Sequence, residues 1–455
     1  MVTSYRLAEQ PGKPIVRGVG VGDQIAAGRV RVLTDASQGD QVENGDVLVT
    51  EMTDPDWVSV MARAGAIVTD RGGRTAHAAI VSRELGVPAV VGTGEATRRL
   101  VEGQTVTVSC AHGGEGHVYD GEVAWEEQEI RIDQVPDTDT KIMINLASPG
   151  AAFRSWRLPA DGVGLARLEF IINDHIQVHP LALIRFDDLE DAGVKARIEE
   201  LAVGYDRLED YYVDKLAHGV ARIAASRYPA PVVVRTSDFK TNEYADLLGG
   251  RGFEPVESNP MIGWRGAARY DDERFREAFA LECRALRCAR DDIGLDNIII
   301  MIPFCRTVGE ADRVLAIMAD EGLERGRNGL QVYMMCEVPS NVLLADQFAE
   351  RFDGFSIGSN DLTQLVLGVD RDADLLAKVF DERDEAVQRA IRHVIEAAHA
   401  KGVTVGICGQ GPSDHDDLAE MLVRAGIDSM SLNPDAVLGV RERVAALERK
   451  LRSDS

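Results

Sequence analysis

The chain has 455 residues, 45% of them hydrophobic and 27% charged, with 50 Lys and Arg against 75 Asp and Glu for a formal charge of −25. That length leaves room for two to four domains, the mix is that of a globular protein and not of a disordered or fibrous one, and so negative a charge repels polyanions and excludes a general nucleic-acid partner. The acidity constrains only the summed field, and a pocket lined by a few arginines still holds a small anion. Six cysteines, at 110, 283, 288, 305, 336 and 408, show no paired spacing, which suits reduced thiols and suggests neither a disulfide framework nor a zinc motif. Met1 is followed by VTSYRLAEQPGKP, without the apolar core of a signal peptide, and runs such as IIIMIPF at 298–304 fall far short of a membrane span. The sequence reads as cytoplasmic, with no membrane partner.

Over residues 1–125, short apolar runs alternate with Gly-rich turns, namely GRVRVL, DVLVTE, GAIVTD, VPAVVG, TVTVSC and GHVYDG, with helical patterns near 55–63 and 77–85. This predicts one α/β unit. Residues 126–140, inside the acidic stretch AWEEQEIRIDQVPDTDTK, read as a linker that lets its neighbours move. Over 141–455, the runs KIMINLA, GVGLARLEF, PVVVRTSD, IIIMIPF, LQVYMMCEV, GFSIGSND, VTVGICGQG and SMSLNP alternate with amphipathic helical segments. Eight apolar strands separated by helices predict a (β/α)8 TIM barrel, with larger insertions after the second and third strands.

In such barrels the reactive groups gather where strands enter the following loops. Here those places hold Arg167, Arg235, Glu337, Gly358-Ser359-Asn360-Asp361, Cys408 and Asn433, with Arg265 in the insertion NPMIGWRG. One such Arg is a rim salt bridge; three Arg with two carboxylates and a thiol on one face point to a small phosphorylated or carboxylated anion held bidentately. Glu337 and Asp361 are either hard oxygen ligands for Mg²⁺ or a carboxylate pair neutralised by Arg. Cys408, between glycines in GICGQGPS, is either a buried hydrophobe or an accessible proton donor or nucleophile. Cys283 and Cys288 read as packing residues on a helix, and Ser413 with Asp416 as a capping-box helix start that leaves His415 exposed.

In the first domain, GAIVT runs into a turn with Gly72 and Gly73, and His77 opens a helix whose free N–H groups favour an anion. A phosphate on His77 is well placed there, with Arg74 and Thr75 as donors; the alternative is an ordinary satisfied histidine.

The segments GGRTAHAAIVSRELGVPAVVG, GVGLARLEFI, VRTSDFKTNEY, NPMIGWRG, MMCEVPSN, GFSIGSNDLTQL and GICGQGPSDH closely resemble the phosphoenolpyruvate (PEP) synthase, or pyruvate, water dikinase, family, in order over nearly the whole chain. More distantly the chain resembles pyruvate phosphate dikinase and enzyme I of the sugar phosphotransferase system. The resemblance implies a swivelling phosphohistidine domain followed by a PEP/pyruvate-binding TIM barrel. It implies transfer of a phosphoryl group from phosphohistidine 77 to pyruvate with Mg²⁺, a gluconeogenic step. It makes Arg167, Arg235 and Arg265 substrate and phosphoryl binders, Glu337 and Asp361 metal ligands at the substrate, Gly358, Ser359 and Asn360 parts of the substrate loop, and Cys408 the proton donor. Thr75 matches the threonine through which a regulatory kinase/phosphorylase switches some members, and barrels of this family pair as homodimers.

One departure is plain: members carry an N-terminal ATP-grasp domain, and nothing here resembles it. Neither G-x-x-x-x-G-K-[ST] nor G-x-G-x-x-G occurs, and Gly12-Lys13 is followed by Pro14. The chain on its own is expected not to use ATP and to depend on an ATP-grasp domain or subunit in trans. Two other readings stand beside this one: an enzyme I-like relay from PEP to a carrier protein, disfavoured because no helical carrier-binding insertion interrupts the His77 domain, and a non-catalytic module that senses pyruvate or PEP.

Overall fold

The runs from 141 onward close into a barrel. In a computed structural model, which describes all residues except 1, 9–11, 23, 74–75, 113–114, 131–134, 147, 371–375, 377–378 and 455, the chain divides into Met1–Val135 and Pro136–Ser455. In the second unit eight strands pair in parallel and in chain order: Lys141–Leu146, Val163–Arg167, Val232–Arg235, Ile298–Ile302, Val332–Cys336, Gly354–Ile357, Thr404–Ile407 and Ser429–Leu432, the last returning to the first. Each lies on a run expected to be a strand. Alternate residues face opposite ways. Ile298, Ile300 and Ile302 join the large core under the surrounding helices, while Ile299, Met301 and Val233 form a separate inner cluster. Burial on both faces is why these strands are apolar at nearly every position. The insertion after the third strand is anchored where buried Glu254 accepts from Arg269 at 2.6 Å and from His179 at 3.0 Å.

The first unit closes seven strands in the order Val16–Val21, Ala89–Val91, Ala66–Thr69, Val47–Thr50, Ile25–Val32, Thr105–His112, Glu115–Asp120. Val47, Val49 and Val68 fill its interior; Leu48 and Ile67 pack outside it with Trp57, Met61 and Ala79. Val16–Val21 escapes a reading of periodicity because its sequence, VRGVGV, carries two glycines. Gly18 is there for close approach, since a Cβ would lie 2.5 Å from the carbonyl oxygen of Val91.

The expected linker needs correcting. Trp125–Ile130 is a strand, paired antiparallel with Val2–Leu7, and the first unit runs on to Val135. Glu126 and Glu127 are exposed in this two-stranded ribbon, and two adjacent charges break the alternation that marks a strand. Among the described residues, no helix is long and apolar enough to cross a membrane.

Candidate active site

Strand register sets the barrel's C-terminal rim. Arg167 and Arg235 are register partners on neighbouring strands, and adjacent strands lie about 4.8 Å apart. Cys336 pairs with Ile357, and Ile357 with Ile407. The next residues, Glu337, Gly358 and Cys408, therefore form a row across the fifth, sixth and seventh strands. Gly358 is required there, because a Cβ would lie 2.9 Å from Oε2 of Glu337. Ser359, Asn360 and Asp361 follow as the first turn of the helix Ser359–Leu367, where the helix dipole favours the negative charge of Asp361.

Arg265 arrives from the third-strand insertion and is 3% exposed. Its Nε donates to Asp238 Oδ1 at 2.9 Å and its Nη1 to Asp361 Oδ1 at 3.1 Å; its guanidinium stacks 4.1 Å over the ring of Phe304. Arg235 donates to Glu169 Oε1 at 2.7 Å and lies 3.6 Å from Asp238. The same Glu169 oxygen accepts from the Asp238 backbone N–H at 2.7 Å. Arg167 stacks 4.8 Å from the ring of Phe170. The rim is thus more balanced than a cluster of arginines: Arg235 and Arg265 are fixed by Glu169, Asp238 and Asp361, so their forks are held in place before a ligand arrives.

Glu337 is 1% exposed. Its Oε1 accepts from Phe304 N–H at 2.7 Å, and Phe304 takes the unusual φ of 46° to present that N–H. Burial, then the nearby charges of Asp361 and Asp238, raise the Glu337 carboxyl well above the usual range, with Arg265 and Arg235 opposing them. Two buried carboxylates that repel each other are a donor set that a divalent cation relieves. No cluster of three or more His, Cys, Asp or Glu fit for a metal occurs among the described residues. A pair of hard oxygens suits Mg²⁺, which takes one or two carboxylates and completes its shell with water and substrate oxygens.

Cys408 closes the row from the seventh strand. It is 7% exposed and belongs to the inner cluster with Val233, Ile299, Met301 and Met335. Burial pushes its thiol up to about 11, although the Ser356 hydroxyl and Arg235 pull against that rise. At neutral pH the group is therefore a protonated thiol, poised to give a proton.

In the first unit, His77 opens the helix His77–Leu85, with Ala78 and Ala79 packed on the outer core. Gly86, at φ 70°, ends it in a left-handed turn, with Val87 N–H donating to Ser82 O at 3.0 Å. His77 Nδ1 lies 2.9 Å from Thr53 Oγ1. The tautomer with its proton on Nδ1 donates to that hydroxyl and leaves the Nε2 lone pair as nucleophile. Burial lowers the His77 pKa and Asp54 opposes it, so the ring is neutral near pH 7. Arg74 and Thr75 lie outside the described residues.

Sequence reasoning missed the residues that hold the others. Asp238 and Glu169 stand near Arg235 and Arg167 in the sequence without a motif of their own. Asn145, on the first strand, donates to Cys408 O at 3.3 Å and accepts from Ser431 at 2.7 Å. Thr53 carries no motif. Glu282, on the helix Arg276–Arg287, accepts from the Ser237 N–H at 3.1 Å and props the segment that presents Asp238. The capping box at Ser413 is absent: Ser413 Oγ accepts from Asn433 N–H at 3.2 Å, and half-buried His415 precedes the helix Asp416–Arg424. Cys283 is buried on its helix, as expected.

Comparison with known proteins gives two matches to family models: the PEP-binding domain of PEP-utilising enzymes over residues 124–449 and the mobile domain of PEP-utilising enzymes over residues 42–113. The phosphoenolpyruvate synthase of Synechocystis sp. is 55% identical over 453 residues, covering 99% of this chain and 55% of its own. That of Deinococcus radiodurans is 58% identical over 427 residues, covering 94% and 55%. That of Escherichia coli is 53% identical over 445 residues, covering 98% and 56%. The chain spans about half the length of the curated relatives it matches.

Proposed function

The chain belongs to the PEP-utilising enzymes, and from that premise we propose that it interconverts pyruvate and PEP by moving a phosphoryl group between His77 and the enolate oxygen of pyruvate. The observation that carries this reading is the rim itself, where Glu337, Gly358 and Cys408 stand in one row beside arginines already fixed by Asp238 and Glu169.

Arg235 and Arg265 bind the carboxylate and phosphoryl oxygens, and their fixed forks orient the keto group toward the row of Glu337 and Cys408. Glu337 and Asp361 would hold Mg²⁺, which would supply a Lewis acid at the keto oxygen and so acidify the methyl group. Cys408 exchanges the methyl proton. In the direction of PEP synthesis its thiolate takes the proton as the C–H bond breaks; in the reverse direction the thiol gives it to the enolate carbon. In synthesis the enolate oxygen forms its bond to phosphorus as the bond to His77 Nε2 breaks, and the arginines offset the charge on the group in transit. The buried thiol is protonated at rest, which readies the free protein for the PEP-to-pyruvate direction.

The test uses the chain with Mg²⁺ and no nucleotide. PEP labelled on phosphorus is expected to phosphorylate His77 with release of pyruvate, and labelled pyruvate to exchange into PEP. His77→Ala is expected to abolish both, and chelation of Mg²⁺ to stop the exchange. A folded wild-type chain that shows neither labelling nor exchange would overturn the reading. Label passing from His77 to a small carrier protein would favour the relay instead.

A further inference from the structure

The interiors of (β/α)8 barrels are filled by layers of bulky branched side chains. Here Leu165, Val233, Ile299, Met301 and Met335 pack with Cys408 under the reactive rim, and the space below that cluster is not filled. Gly164, Ser356, Gly406 and Ser431 stand where the second, sixth, seventh and eighth strands point inward, and with Tyr333 and Thr404 they line a cavity of about 430 Å³. The space extends to Lys141 and Thr404, exposed at the starts of the first and seventh strands, so it reaches toward the barrel's N-terminal face. At about 30 Å³ per molecule it has room for on the order of ten waters. The lining is mostly apolar, and the hydroxyls of Ser356, Ser429, Ser431, Thr404 and Tyr333 are the polar partners it offers to water.

Its upper end reaches Ser356 and the inner-cluster residues Val233 and Ile299, which pack with Cys408. Thr404, Gly406 and Cys408 alternate along one strand and share a face, so the thiol stands directly above the two cavity-lining positions. Ser356, 6% exposed, lines the cavity and is the register partner of Gly406, one step below Cys408; its hydroxyl pulls the thiol's pKa down, while the thiol itself donates to Ile357 O at 3.6 Å. Tyr333 and Thr404 hydroxyls lie 3.3 Å apart in the same lining.

We propose that this cavity is a water-filled conduit that exchanges the Cys408 proton with solvent through Ser356 from the N-terminal face of the barrel, while substrate covers the C-terminal mouth. The inference rests on Cys408 serving as the acid/base of the proposed reaction. When the thiol has given its proton to the enolate carbon, the Ser356 hydroxyl passes its own proton to Sγ and takes one from a cavity water, whose deficit is made good from bulk. In the other direction the thiol passes a methyl proton down the same line, and bound pyruvate meets a reset thiolate without leaving.

The experiment is deuterium incorporation into pyruvate by the chain with Mg²⁺ in D2O, read by mass spectrometry as the distribution of isotopologues at early times. Wild type is expected to give doubly and triply deuterated pyruvate from the outset, because the thiol is reset several times per encounter. Ser356→Val, which sets methyl groups under the thiol, is expected to give singly deuterated product, with deuterium per turnover falling about tenfold or more. Ser356→Thr, which keeps the hydroxyl, is expected to retain the wild-type pattern. Ser429→Leu fills the cavity away from Cys408 and is expected to act as Ser356→Val does while the KM for pyruvate holds, which covers failure of the first variant to fold. Multiple deuteration by Ser356→Val or Ser429→Leu at the wild-type rate, or single deuteration by wild type, would overturn the conduit alone. A wild-type chain that incorporates no deuterium would overturn the acid/base reading and the conduit with it.

Discussion

At the scale of single residues, burial sets the chemistry. Cys408 sits among Val233, Met301 and Met335, and the loss of water that raises its thiol keeps it protonated and unreactive toward adventitious oxidants. Cys408→Ala is predicted to stop exchange of pyruvate methyl protons with solvent while PEP binding persists, measured by NMR in D2O. His77 is shifted the other way for a base: burial lowers its pKa from the ordinary 6.5, so the neutral, nucleophilic ring survives to lower pH than for an exposed histidine. The rate of His77 phosphorylation by PEP should therefore stay flat as pH falls through the ordinary histidine value and decline only below it. Thr53 fixes the ring through Nδ1 at 2.9 Å. Thr53→Val is predicted to slow phosphorylation of His77 about tenfold or more and to leave pyruvate methyl exchange unchanged, which separates positioning of the ring from the barrel's own chemistry.

At the scale of elements, the site is made by loops that lock one another. The segment after the third strand turns Asp238 inward, where it holds Arg265 and Arg235, and Glu282 holds that segment from behind through Ser237. Asp238→Asn removes the charge that fixes both guanidinium groups, and truncating one partner of a buried charged pair typically costs about 2 to 5 kcal/mol. PEP affinity is predicted to fall at least about tenfold, measured by calorimetry. The loop after the seventh strand is pressed against the one after the sixth: a Cβ at Gly409 would collide with Ser359 Oγ, and one at Gly411 would lie 2.7 Å from Glu382. Ser359 Oγ in turn donates to buried Glu382. Gly409 and Gly411 are thus there for the close approach of two loops, and Gly406 for the approach of Ser429 on the next strand; in the sequence the glycines beside Cys408 suggest only an accessible thiol.

At the scale of the molecule, the buried acids give stability a pH dependence that the surface charge does not suggest. Glu282 is fully buried and pushed up to about 7 from 4.5, chiefly by burial. The folded state then keeps a proton that the unfolded chain releases, so this contribution is complete below the unfolded value and is lost as pH rises through about 7. Glu282→Gln is predicted to remove that loss and to gain, relative to wild type, roughly 3 kcal/mol near pH 8 and little near pH 5, measured from urea unfolding of the Pro136–Ser455 unit. The order of the eight barrel strands, the start of the His77 helix and the residues at the strand ends were all legible in one dimension, because alternation, glycine turns and strand ends are local. The strand Val16–Val21 and the ribbon with Trp125–Ile130 were not, since glycines hid one and exposure the other. Sequence by itself determined which reactive groups exist and which strand carries each. Only the tertiary structure decided that Arg265 reaches Asp361 across 96 residues and that Asn145 holds Cys408 across 263. It decided too that the arginines are already countered and that a cavity opens below the inner cluster that holds the thiol, because pairing, burial and free volume depend on neighbours that the chain brings together only when it closes.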